Sequence, residues 1–167
     1  GTETYFSMLL HANQETSAHT WQVKLLTAIT KALKEGIASG CPRCDEFINS
    51  SSRAVIASAQ ASIPEQLKAG LSAPVIPSPQ ALANSCMSAI TAGWITLVKV
   101  NSEEQLRLVC DPKKGKLRLK TPCTIFIGGQ ILDRGITIDN LLSFYYGRSP
   151  KKFQQNTVMQ HSRMYGP

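Results

Sequence analysis

Apolar positions along the chain recur first in strand fashion and then at helical spacing. Tyr5 to Ala12 is a short run carrying Phe6, Met8, Leu9 and Leu10, which predicts a buried strand. Trp21, Leu25, Ala28, Ile29, Ala32 and Leu33 then follow three and four residues apart, the mark of an amphipathic helix. Thr16 or Ser17 supplies its N-cap. Lys24, Lys31 and Lys34 lie off the apolar stripe, and Gly36 stands where a C-terminal stop is expected. A strand followed by a helix opens an α/β unit.

From about residue 37 to residue 79 the periodicity weakens. Gly, Ala, Ser and Pro dominate, with Ser50-Ser51-Ser52, Pro74, Pro77 and Pro79 as breaks. This stretch is expected to be a helical insertion with one or two short helices, at Ser52 to Gln60 and Pro64 to Lys68. Gln80 to Thr91 predicts another helix, and Trp94 to Val100, rich in β-branched residues, a strand. Gln105 to Cys110 and Lys116 to Thr121 flank Asp111-Pro112-Lys113-Lys114-Gly115, which is turn chemistry, so a hairpin is expected there. Ile125 to Ile127 and Leu141 to Tyr145 are further strands. Ser149-Pro150 starts a last helix, on which Asn156, Gln160 and Arg163 share one polar stripe. The alternation of elements predicts an α/β fold, a mainly parallel sheet flanked by helices. The antiparallel hairpin would add to one edge of that sheet.

Composition narrows the class. A chain of 167 residues, 43 % hydrophobic and 17 % charged, has enough material for one full core and is no disordered tail. No apolar run approaches the roughly 18–20 residues that span a bilayer. Gly1 to Tyr5 lacks the basic and apolar regions of a signal peptide, so a cytoplasmic protein without a membrane partner is expected. Five cysteines at irregular spacing make no disulfide framework. Cys41-Pro42-Arg43-Cys44 has the spacing of half a zinc site, but no second pair accompanies it; two reduced thiols and no metal site are expected. His11, His19 and His161 are scattered, each read as a surface or packing residue.

Charge is unevenly spread. Residues 1–106 hold 7 Lys and Arg against 8 Asp and Glu, whereas residues 107–167 hold 11 against 3. That concentration favours a polyanion, DNA, RNA or a nucleotide. On the expected hairpin Lys116, Arg118 and Lys120 alternate with Leu117 and Leu119. Such a basic face either tracks a phosphate backbone or guards a sheet edge against pairing.

The same third of the chain carries the candidate chemistry. Gly128-Gly129 follows a strand, and without a Cβ the backbone there can approach a ligand closely. Arg134 beside Gly135 on a loop, and Gln160 three residues before Arg163 on a helix, suit phosphate oxygens. A phosphate loop of the G-x-x-x-x-G-K-[ST] type and an acidic metal-binding motif are missing from these 167 residues, so the chain alone is not expected to hydrolyse ATP. Only Asp111-Pro112-Lys113 has nuclease-like spacing, in a turn, and nuclease chemistry within this chain is not expected.

Ile127 to Leu141, Tyr145-Tyr146-Gly147-Arg148 and Asn156 to Gly166 resemble the Z-one domain family, closely over about residues 123–167 and moderately over 5–35 and 94–101. Its members carry the label endonuclease and look like superfamily-two helicase motors of bacterial and phage restriction or defence loci. The resemblance implies a RecA-like (P-loop NTPase-type) fold, with residues 1–167 as a single C-terminal motor lobe, a fragment of a longer protein. Arg163 would then be the arginine finger and Gln160 its positioning neighbour. Arg134 and Gly135 would be loop contacts to nucleic acid or nucleotide, Gly128 and Gly129 the point of close backbone approach, and Thr137 and Arg148 second-tier contacts. ATP and Mg would be held mainly by the first RecA-like lobe of the same polypeptide. That lobe and a nucleic acid, DNA rather than RNA, would be the partners. The alternative is a non-catalytic nucleic-acid-binding or protein-interaction module.

Overall fold

The computed structural model describes residues 4–11, 16–111, 115–129 and 138–146. The elements in chain order are β1 (Phe6–His11), α1 (Thr16–Ala38), α2 (Pro42–Lys68), α3 (Pro79–Thr91), β2 (Ile95–Val100), α4 (Glu103–Val109), β3 (Cys110–Asp111), β4 (Lys116–Leu117), β5 (Cys123–Gly128) and β6 (Leu141–Tyr146). The chain divides into two compact units, one made of Gly1–Ile29 with Trp94–Pro167 and the other of Thr30–Gly93.

In the first unit, four strands form a wholly parallel sheet in the order β2-β5-β1-β6. Register aligns their side chains in rows. Phe126 pairs with both Val98 and Leu9, and Leu9 pairs with Phe144, so these four point to one face. On that face Leu9, Val100, Leu117, Phe126 and Ile138 form the buried core, joined by Leu106 and Val109 of α4. Burying Phe126 fully stabilises the sheet by roughly 1.5–3 kcal/mol. The opposite face carries Lys99, whose Nζ donates to Thr20 Oγ1 of α1 at 3.3 Å. The sheet is therefore flanked by helices on both faces, as expected for α/β.

α1 is rotated from the expected orientation. Trp21, Leu25 and Ile29 are 62 %, 41 % and 43 % exposed, while His19 is buried. A 3.6-residue period reports that a helix has an apolar side, not that this side meets the core. Here the polar contacts made by His19 and Thr20 set the rotation instead. Gly36 does not end the helix either. The stop is at Gly40, left-handed at φ 64°, where Gly40 N–H donates to Ile37 O and Cys41 N–H to Gly36 O, the paired bonds of a Schellman cap.

In the second unit, the two short helices expected at residues 52–60 and 64–68 are one 27-residue helix, α2, with Pro42 in its first turn and Pro64 inside it. Cys44, Ile48, Ser52 and Ile56 form its buried stripe at strict four-residue spacing. Two of the four are small, so the stripe is hard to see in sequence. Alanine is the best helix former, and Ser50 and Ser62 satisfy their hydroxyls on carbonyls three residues back. α3 packs with α2, and Ser78 caps it by accepting from Ala81 N–H at 3.2 Å.

The expected hairpin shrinks. Gln105 to Cys110 is mostly helix α4, and only Cys110–Asp111 pairs antiparallel with Lys116–Leu117. This pair forms its own two-stranded sheet rather than an edge of the main one. Ser102 Oγ accepts from Gln105 N–H, and Gln105 Oε1 accepts from Asn101 N–H, a capping arrangement that starts a helix. Glu103 and Arg107 add an i,i+4 pair. The last helix expected from Ser149 lies outside the described residues. Among the described residues, no helix is long and apolar enough to cross a membrane.

Candidate functional site

Parallel strands bring all their carboxyl ends to one edge, where open α/β sheets place ligands at the point of strand-order reversal. Here β1 and β5 are neighbours, yet β1 leads on to β2 at one edge of the sheet and β5 to β6 at the other. The reversal falls between them. His11 ends β1, Gly128 ends β5 with Gly129 following, Val100 ends β2 with Asn101 following, and Tyr146 ends β6.

The register defines the last row of residues. Val100 pairs with Gly128, and His11 with Tyr146. Leu10 pairs with Ile127, so His11 lies beside Gly128. The row thus carries no side chain at its β5 position, between the fully buried Val100 and His11. Gly128 and Gly129 are themselves buried. Whatever reaches this position meets β5 main chain directly, which is the geometry that a close-approaching phosphate or loop requires.

Beside this row, His19 Nδ1 lies 2.6 Å from Asn101 Oδ1, so the ring nitrogen donates to the amide oxygen. Asn101 is held from the other side by its own N–H, which donates to Gln105 Oε1 at 2.8 Å. One residue thereby ties the start of α1, the end of β2 and the start of α4 together at the carboxyl edge.

The basic face is only partly free for a polyanion. Lys116 Nζ pairs with Asp139 Oδ1 at 2.8 Å, whereas Arg118 and Lys120 are exposed. At the opposite, amino edge of the sheet, Ser7 Oγ donates to Asp139 O and Asn140 Nδ2 to Tyr5 O, which anchors the entry to β6. Among the described residues, no group of three or more His, Cys, Asp or Glu stands together as a metal-binding set.

Of the residues singled out in sequence, the structure places Gly128 and Gly129 at the carboxyl edge. Arg134, Gly135, Thr137, Arg148, Gln160 and Arg163 lie outside the described residues. His11 and Asn101 were not marked as site residues. Their sequence signal is slight, a histidine closing one strand and an asparagine following another, and only the sheet order brings them beside Gly128.

The family model of the Z1 domain matches the chain over residues 1–167. No curated protein and no solved structure matches it.

Proposed function

This chain belongs to the Z1 domain family, and we propose that it is the second, RecA-like lobe of a nucleic-acid-dependent ATPase or helicase-like motor of the restriction or defence type. The observation that carries the reading is the buried Gly128-Gly129 step at the carboxyl end of β5, where the strand order reverses. The arginine-bearing motifs follow it in the order of such motors.

In this reading, two lobes close on ATP, and Arg163 stabilises the charge that develops on the transferred phosphoryl group while Gln160 positions it. An arginine finger contributes roughly three to five powers of ten in rate. Arg134 and Gly135 contact the nucleic acid or nucleotide, with Thr137 and Arg148 behind them. The described residues suit a phosphate-bearing ligand through bare backbone but offer no carboxylate cluster for magnesium. Magnesium and most of the nucleotide would be held by the first lobe of the longer protein, which supplies the phosphate-loop chemistry. A second reading, a protein-interaction module without catalysis, is favoured by one observation, the exposed apolar stripe of Trp21, Leu25 and Ile29 on α1.

DNA binding by this chain, titrated against salt, tests the nucleic-acid assignment. Arg134→Ala is expected to weaken binding and to flatten the slope of log K against log salt by about 0.7–0.9, one phosphate contact. An unchanged slope removes Arg134 from the interface.

A further inference from the structure

Cys41 and Cys44 meet at the turn between α1 and α2, inside the second unit. Cys41 is the N-cap of α2 and is half-buried; Cys44, one turn on, is buried. Cys44 N–H donates to Cys41 O at 3.0 Å, closing a turn that holds the two Cα atoms within about 7 Å. Disulfides span Cα separations of about 4.4–6.8 Å. The turn therefore holds the pair near bonding distance without a change of fold.

The packing of α1 supports the same geometry. A Cβ on Gly36 would lie 2.9 Å from Cys44 Cβ, 3.0 Å from Cys44 Sγ and 3.7 Å from Cys41 Cβ. Both cysteines thus crowd one point on α1, and the missing side chain leaves Cys44 Sγ its room. In the reduced state that thiol points to Leu33 O at 3.6 Å. Burial first, then the Asp45 carboxylate and the Cys41 sulfur, push the Cys44 thiol up from its ordinary range. The two thiols are thereby unequal, one accessible at a helix start and one sheltered behind it.

We propose that Cys41 and Cys44 form a reversible redox couple, with Cys41 as the sulfur oxidised first and Cys44 as the resolving thiol. The oxidant is hydrogen peroxide. Cys41 sulfur attacks the peroxide, the O–O bond breaks, and a sulfenic acid and one water form. Cys44 sulfur then attacks Cys41 sulfur; the S–S bond forms and the sulfenic oxygen leaves as a second water, taking the Cys44 proton. Two thiols lose two electrons and two protons, and one hydrogen peroxide becomes two waters. A small dithiol reverses the step by exchange. The proposal does not depend on the motor reading.

The test treats the full chain with hydrogen peroxide, alkylates the remaining thiols and digests with trypsin, which cuts after Arg43, between the two cysteines. The expected product is Glu35–Arg43 joined to Cys44–Arg53 through a disulfide that dithiothreitol cleaves. Two of the five thiols are lost, while Cys86, Cys110 and Cys123 stay alkylated. Cys44→Ser is expected to stop at a Cys41 sulfenic acid that dimedone traps, and Cys41→Ser to leave Cys44 reduced. Circular dichroism of both variants verifies the fold. The proposal is overturned if all five cysteines are alkylated until general over-oxidation sets in. It is equally overturned if Cys41 pairs with any cysteine other than Cys44.

Discussion

His19 of α1 donates its Nδ1 proton to Asn101 Oδ1 after β2, a 2.6 Å contact between residues 82 positions apart. His19 is 1 % exposed, so the bond is made where water does not replace it. Asn101→Ala removes the acceptor and is expected to cost about 1–3 kcal/mol, read as a lower denaturant midpoint at unchanged slope. Asn101→Asp keeps an acceptor and is expected to lose less. Equal losses for the two would mean that the hydrogen bond is not what stabilises this edge.

The rotation of α1 separates two large aromatics that composition alone would treat alike. Trp21 is 62 % exposed, and Phe126 is 0 % exposed at the centre of the sheet. Phe126→Ala is expected to destabilise the chain by about 3–5 kcal/mol, whereas Trp21→Ala is expected to stay within about 0.5 kcal/mol. Thermal or urea unfolding of the two variants checks the difference. A large loss for Trp21→Ala would place the helix in the orientation that its periodicity predicts.

Gly36→Ala sets two effects against each other. In an ordinary helix interior the change gains about 1 kcal/mol. Here the new methyl would sit 2.9 Å from Cys44 Cβ, and overpacking of this kind costs about 1–3 kcal/mol. The clash is expected to win, giving a variant less stable in urea than the parent protein. A more stable variant would show that α1 and α2 part readily at this point.

The strands were legible in the sequence because their runs are apolar, with β-branched residues in β2 and β5 and leucines and aromatics in β1 and β6. Phe6–His11 and Ile95–Val100 lie within the segments that patterning marks, and Cys123–Gly128 and Leu141–Tyr146 extend the marked Ile125–Ile127 and Leu141–Tyr145. The helices between β1 and β2 and between β2 and β5 suit parallel strands. Two helices were read imperfectly, for different reasons: α2 only as two short pieces within Pro42–Lys68, and α4 as a strand. In α2, small residues such as Ser52 occupy buried positions, so burial leaves no hydrophobic trace. In α4, Leu106, Leu108 and Cys110 imitate strand alternation, but Leu108 is 72 % exposed and Leu106 with Val109 faces the core. The Ser102 cap, rather than the alternation, decides that segment. The glycine pair of the candidate site was visible as a motif. Its neighbours His11 and Asn101 were not, because pairing of β1 and β2 with the distant β5 is a property of sheet order and not of local pattern.

ATP hydrolysis by the full-length protein, with and without DNA, for wild type and Arg163→Ala, is the most direct measurement of the motor assignment. DNA is expected to stimulate turnover, and Arg163→Ala to lower it by roughly a hundredfold or more with the fold intact. DNA-stimulated turnover that survives Arg163→Ala unchanged would contradict the arginine-finger role, and a full-length protein that does not hydrolyse ATP would contradict the motor itself.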